Sequence, residues 1–313
     1  MELWVTILLF LAGLGLIIWG GDLFLDGAVA LAEATGMPRF LIGATVVSLA
    51  TTLPELLVSV TGVLSGETEL AVGNAVGSVT ANLGLILGLS ALILPARVSP
   101  RQFVPKALLM VAAALLLYAL CGKGSLSIFS SVLLLGVFAA YLAAAILDAR
   151  RERTAEEHST AAGGTMGRKL LAFGLGITAI VIGSRLLIRF GSDLALRLGI
   201  PAAVVGVTMV AVGTSLPELV TTITALARKE ASMSVGNIIG ANVIDLTLIL
   251  PVCSALSGGR LTISKSAAGL DLPVCLIFCI LAALPPVLGG RFYRWQGYVL
   301  LGLYAVYTAI LVV

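Results

Sequence analysis

The sequence predicts an all-α polytopic membrane protein: ten transmembrane helices in two inverted-topology repeats of five, with both termini outside. Composition is the first ground. Of 313 residues, 59% are apolar and only 11% charged, whereas a soluble domain carries about 25% charged residues. The second ground is a set of ten apolar stretches long enough to cross a hydrocarbon core of about 30 Å. The third is internal repetition. Val47-Ser48-Leu49-Ala50-Thr51-Thr52-Leu53-Pro54-Glu55 returns 163 residues later as Val210-Ala211-Val212-Gly213-Thr214-Ser215-Leu216-Pro217-Glu218. Gly73-Asn74-Ala75-Val76-Gly77 with Asn82, and Gly236-Asn237-Ile238-Ile239-Gly240 with Asp245, keep the same offset, as do Gly20/Gly183, Gly36/Gly199, Pro38/Pro201, Gly43/Gly206 and Thr45/Thr208. Such an ungapped register marks a duplication.

The predicted spans are 4–25, 38–64, 70–94, 104–121, 126–147, 168–195, 201–227, 232–256, 267–288 and 292–312. Five precede and five follow a polar, mixed-charge segment at 148–169, so residues 1–147 and 170–313 form the two repeats. An odd number of spans per repeat forces opposite orientations, an arrangement many secondary transporters share. With the N-terminus outside, inside loops would hold Arg39, Arg97, Arg101, Lys106, Arg150, Arg151, Arg153, Arg168, Lys169, Arg228, Lys229, Arg291 and Arg294. Outside loops would hold Lys123, Arg185, Arg189, Arg197, Arg260 and Lys265. The excess of basic residues inside selects that orientation and makes 148–169 a cytoplasmic linker. Met-Glu at the start lacks the basic residues of a cleaved signal, so the first span is expected to persist as a helix. Asp22 and Asp26, near its inner end, read as interfacial residues within reach of water.

Cys121, Cys253, Cys275 and Cys279 lie in apolar segments without CxxC spacing, and the single histidine, His158, sits in the polar linker. They offer neither a metal cluster nor a nucleophile–base pair. The carboxylates are different. Glu55 lies 11 residues before the turn at Ser65-Gly66-Glu67, which at about 1.5 Å per residue places it near mid-membrane. Asn82 reaches the same depth on the returning span. The repeat places Glu218 and Asp245 likewise around Arg228-Lys229-Glu230. Burying a carboxylate in a membrane costs at least about 2.5 kcal/mol, which marks it as functional by default. Glu67, Glu69 and Glu230 fall in turns and are expected to be solvated.

Pro54 and Pro217 each remove a backbone donor, leaving carbonyls near Ala50-Thr51 and Gly213-Thr214 without partners. At this depth free carbonyls are tolerated only where they face protein, water or an ion. With the hydroxyls of Thr51, Thr52, Thr214 and Ser215 they make an all-oxygen cage. Such a cage suits hard cations such as Ca²⁺ and Na⁺. The paired glycines at 73/77 and 236/240 read as packing residues that let the third and eighth helices approach. Asn74 and Asn237 read as interhelical hydrogen bonders.

At these residues the sequence resembles the sodium/calcium exchanger family of the calcium/cation antiporter superfamily, in its prokaryotic-type ten-helix form. The motifs are Ala-Thr-Thr-Leu-Pro-Glu at 50–55, Gly-Thr-Ser-Leu-Pro-Glu at 213–218 and the following Gly-Asn-x-x-Gly each time, within alpha repeats at about 43–90 and 206–253. The resemblance implies Na⁺-for-Ca²⁺ antiport by alternating access at four cation positions. Glu55 and Glu218, with the carbonyls of Thr51 and Thr214, would hold Ca²⁺, and Asn82 and Asp245 would complete the central position. Ser48, Thr52 and Ser78 would line the Na⁺ position toward the cytoplasm; Ala211, Thr214 and Ser215 would line the one toward the outside. Ala50 replaces a usual glycine, and Ala241 a common serine.

The resemblance implies no cofactor and no catalysis; the transported ions are Ca²⁺ and Na⁺. The other partner is membrane lipid in the cell membrane, nucleic acid is excluded, and oligomeric state stays open, a monomer included. Gly77 and Gly240 stand where proton-coupled relatives usually carry an acid, which favours Na⁺; Asp245 is also compatible with potassium-dependent members. A proton- or potassium-coupled divalent antiporter is the alternative, and a passive channel is a weaker one.

Overall fold

The computed structural model describes residues 2–121, 124–153, 166–198 and 215–312. Its helices follow the predicted spans in order: α1 (Leu3–Thr35), α2 (Arg39–Leu64), α3 (Thr68–Ile93), α4 (Pro100–Cys121), α5 (Ile128–Arg153), α6 (Met166–Arg197), α7 (described over Leu216–Ala227), α8 (Ala231–Leu256), α9 (Ala267–Gly289) and α10 (Arg294–Val312). Among the described residues, eight of them are long and apolar enough to cross a membrane. The chain is a nearly all-helical polytopic membrane protein. A two-stranded antiparallel ribbon, β1 (Ser125–Ser127) with β2 (Arg260–Thr262), joins two connections.

Several helices outrun their apolar stretches. α1 continues ten residues beyond 25, to Thr35, before Gly36 caps it in the left-handed region at φ 63°. α5 and α6 extend into both ends of the expected linker at 148–169; His158 lies outside the described residues. Hydropathy sees only the lipid-facing part of a helix, whereas backbone hydrogen bonding continues until a cap or breaker intervenes. Lys106, expected in a loop, is also corrected. It sits inside α4, fully buried, with Nζ 2.5 Å from Asp148 Oδ2 on α5 and 3.1 Å from Gln102 O. A buried cation needs that pairing, and its partner lies 42 residues away, beyond any local pattern.

The helices differ widely in burial, and α1 and α6 lie at the periphery. Of the apolar windows, 83% of α8 and 72% of α3 is buried, against 22% of α1 and 29% of α6. α1 and α6 run antiparallel in close contact. A Cβ on Gly13 would meet Gly183 O at 3.0 Å, and one on Gly20 would meet Gly176 O at 2.8 Å. Gly176 lies 163 positions after Gly13, and Gly183 the same distance after Gly20. The two contacts therefore exchange under the repeat shift, as a two-fold axis would produce. Thr6 Oγ1 donates to Asp193 Oδ2 at 2.8 Å, in the same antiparallel sense.

Gly236 and Gly240 are packing residues, but their partner is α2 and not α3. A Cβ on Gly236 would overlap the Phe40 carbonyl, and one on Gly240 would lie 2.6 Å from Ala44 O. Only glycine admits the start of α2 this close to α8. Tyr141 on α5 donates its hydroxyl to Ala44 O, fixing the same turn from the other side.

The connections gather into two sets. In one, Arg228 pairs with Asp22 (2.6 Å) and Asp26, Arg39 with Glu230, Val98 N bonds Gly290 O at 3.0 Å and Phe292 N bonds Ala96 O at 2.9 Å. The Asp22 and Asp26 carboxylates hold the Arg228 guanidinium more firmly protonated than usual. Asp22 and Asp26 are indeed exposed, with 53% and 60% of their side chains accessible. Glu230, expected to be solvated, is instead mostly covered, with 13% of its side chain accessible, and ion-paired. The other set contains the β1–β2 ribbon, where Arg260 Nε donates to Ser125 Oγ at 3.1 Å.

Candidate cation site

α2 breaks where its proline predicts. After a π turn at Gly43–Val47 the helix is α-helical over Ser48–Thr51, bends at Thr52 (φ −83°, ψ −3°) and restarts at Leu53, with Pro54 in the first turn. Ser215 has nearly the same conformation (φ −86°, ψ 7°) immediately before Leu216 and Pro217. Proline is tolerated there because a first-turn N–H has no intrahelical acceptor. Glu55 and Glu218 consequently each stand in the first turn of a half-helix, where the helix dipole favours negative charge.

Asn82 and Asp245 are placed by another matched device. Each opens a π-helical turn, Asn82–Leu87 in α3 and Asp245–Ile249 in α8. A π turn inserts one residue into the helical ladder and re-aims the side chains at its start, which is why such turns gather at functional sites. The same distortion occurs at the same repeat position on two helices.

The three acids lie near one another. Glu55 lies within electrostatic reach of both Glu218 and Asp245, and Asp245 within reach of Glu218. Glu55, Glu218, Asp245 and Asn82 are all at most 1% exposed. None of the six carboxylate oxygens has a hydrogen-bond donor among the described residues, and none of the three acids joins a salt bridge there. Buried carboxylates in that condition are costly. Their arrangement serves a positive ligand.

The Thr51 and Thr52 hydroxyls lie beside the Glu218 carboxylate, while both donate toward Ser48 O, at 3.3 and 2.5 Å. Ser48, Ser78 and Ser215 are buried in the same core, and the Ser215 hydroxyl has no partner among the described residues. Ala211 and Thr214 lie outside the described residues. Among the described residues no three of His, Cys, Asp or Glu come together as a group that could hold a metal ion by themselves. An ion held here must draw on hydroxyl, carbonyl and amide oxygen as well as carboxylate.

Asn74 and Asn237 are the interhelical hydrogen bonders expected. Asn74 Nδ2 donates to Glu55 O at 3.1 Å and to Ser59 Oγ at 2.9 Å, tying α3 to the glutamate's own backbone. Asn237 accepts from Thr51 Oγ1 at 3.2 Å and donates to Thr221 Oγ1 at 3.1 Å; Thr221 in turn donates to Glu218 O at 3.1 Å. This relay holds α2, α8 and α7 together beneath the acids. Ser59, Thr221 and Asn242, which bonds Asn82 at 3.2 Å, were not singled out by sequence. None has an identical residue in the other repeat, so comparing the halves passes over them.

The chain is similar to known proteins along nearly its whole length. The family model described as sodium/calcium exchanger protein matches residues 5–147 and 168–313. An uncharacterised membrane protein of Methanocaldococcus jannaschii is 33% identical, covering 96% of each chain. The sodium/calcium exchanger MaX1 of Methanosarcina acetivorans is 28% identical over 98% of each. A solved structure of the sodium–calcium exchanger NCX_Mj, soaked with Na⁺ and Sr²⁺, superposes with a TM-score of 0.83 at 30% identity, over 98% of this chain and 99% of that one. With nearly its whole length matched in sequence and in fold, the chain belongs to the sodium/calcium exchanger family.

Proposed function

We infer that the protein is a secondary active antiporter that exchanges Na⁺ for Ca²⁺ across the cell membrane, with no cofactor and no covalent chemistry. The observation that carries this reading is the meeting of Glu55, Glu218 and Asp245, buried and without a counter-cation among the described residues. Glu55 and Glu218 hold Ca²⁺ with the carbonyls of Thr51 and Thr214. Asn82 and Asp245 complete the centre. Ser48, Thr52 and Ser78 serve Na⁺ toward the cytoplasm, and Ala211, Thr214 and Ser215 serve it toward the outside. The two halves are inverted repeats with both termini outside; the exchanging α1–α6 contacts and the two sets of connections support that arrangement.

Ionised and empty, the three acids carry three negative charges. An occluded state of that charge is strongly disfavoured in low dielectric. Three Na⁺ cancel it; one Ca²⁺ leaves a single charge, relieved at Asp245 by a proton or by water. Loaded forms therefore cross and the empty form does not, which makes exchange obligatory. At three Na⁺ per Ca²⁺, one net charge moves per cycle, worth about 2.3 kcal/mol per 100 mV.

Proteoliposomes loaded with Na⁺ and diluted into radioactive Ca²⁺ test the reading against matched K⁺-loaded and pH-jump vesicles. Uptake that requires the outward Na⁺ gradient is the expected result. Uptake driven by a proton gradient alone, or dependent on K⁺, would assign the coupling ion differently. No flux under any gradient would exclude Ca²⁺ as the cargo.

A further inference from the structure

Two buried amides face each other where α3 crosses α8. Asn82 Nδ2 donates to Asn242 Oδ1 at 3.2 Å, and Asn242 Nδ2 points at Met110 Sδ on α4, 3.8 Å away. Asn82 is 1% exposed, and Asn242 and Met110 are fully buried. The other end of the Asn82 amide, Oδ1, has no donor among the described residues. An amide has an acceptor end and a donor end of nearly equal size. Only the oxygen is useful to a cation, and an NH₂ turned the same way would repel one.

The direction of this chain is set from its far end. A thioether sulfur can accept a hydrogen bond but cannot donate one. Met110 therefore selects the orientation of Asn242 that turns Nδ2 toward it and Oδ1 toward Asn82. That oxygen can only accept, so Asn82 must present Nδ2 to it and its own oxygen on the opposite side. We propose that Asn242 is a positioning residue for cation exchange, which with Met110 fixes the Asn82 amide with its oxygen turned into the cation cage.

The repeat supplies an independent check on this logic. The residue 163 positions after Asn82 is Asp245, and the residue 163 positions before Asn242 is Val79. A carboxylate has an oxygen at either end and needs no such orientation. The position that would have oriented it holds a fully buried valine. The polar residue occurs only where the ligand is an amide.

The inference rests on Asn82 being a cation ligand, and the experiment separates the two. Equilibrium binding of radioactive Ca²⁺ to the purified full-length protein is measured, with KM for Na⁺-dependent Ca²⁺ uptake alongside. Asn242→Leu keeps the volume and removes the acceptor. It should weaken Ca²⁺ binding about 10- to 100-fold, the usual cost of losing a partner that orients a ligand. In an Asn82→Asp background the same change should cost less than about threefold, because either oxygen then serves. Met110→Leu, a volume-conserving change that folds readily, should weaken binding several-fold with the same dependence on Asn82. Equal losses in both backgrounds, or no loss from either substitution, would overturn the inference. Asn82→Leu is the separating control. If it leaves Ca²⁺ affinity unchanged, Asn82 is not a ligand and both ideas fall. If it weakens binding while Asn242→Leu and Met110→Leu do not, only the positioning role falls.

Discussion

Replacing Glu55 or Glu218 by glutamine is expected to abolish Ca²⁺ transport while leaving the ion-free protein at least as stable. The first half follows from charge. Two unit charges about 4 Å apart interact by about 4 kcal/mol at an effective dielectric of about 20, and a divalent ion doubles that. Retaining half of the doubled figure after desolvation still corresponds to nearly three orders of magnitude in affinity. The second half follows from burial. Both carboxylates are at most 1% exposed and lack hydrogen-bond donors and salt bridges among the described residues, so neutralising one removes an uncompensated charge. Ca²⁺ uptake and ion-free thermal melting check the two halves together. Loss of transport accompanied by a lowered melting temperature would instead assign the glutamates to the fold. Transport surviving in both glutamine variants would remove them from the ion path.

A disulfide between α1 and α7 is expected to stop exchange, and reduction to restore it. α1 and α6 contact each other through glycines at 13, 20, 176 and 183 and are far less buried than α3 and α8, the form of a body that slides across a fixed core. Gly21 is where α1 touches α7: a Cβ there would lie 3.7 Å from Thr224 Cβ, within the disulfide range of about 3.5–4.5 Å. Thr224→Cys also removes the hydroxyl that the new Cβ would otherwise crowd. The four native cysteines are buried and free, so oxidation should act on the introduced pair. Na⁺-driven Ca²⁺ uptake by the oxidised Gly21→Cys/Thr224→Cys protein should fall to that of protein-free vesicles and recover with reductant. Equal rates in the oxidised and reduced forms would refute sliding as the source of alternating access.

Much of this architecture was legible because it is written in side-chain type. Apolar length marked the spans, and the 163-residue offset with its Pro-Glu pairs marked the bend at Thr52 and the helix start after Ser215. What was hidden is written elsewhere. The π turns at Asn82 and Asp245 are backbone events with no residue signature of their own. Lys106 read as a loop charge because its partner, Asp148, belongs to another helix. Gly236 and Gly240 showed that something packs closely against α8, but a small residue does not name its neighbour, which is the start of α2. Asn242 was passed over because the repeat comparison that reveals the ligands hides a residue whose counterpart is Val79.

The central claim is that Na⁺ and Ca²⁺ use one acidic site in turn. Equilibrium binding of radioactive Ca²⁺ to the purified protein, titrated with Na⁺ at constant ionic strength, tests it most directly. One Ca²⁺ should bind per chain and be displaced by Na⁺ with a Hill coefficient above one, and Glu55→Gln and Glu218→Gln should each abolish the binding that Na⁺ displaces. Ca²⁺ binding that persists at saturating Na⁺, or that survives both substitutions, would contradict it.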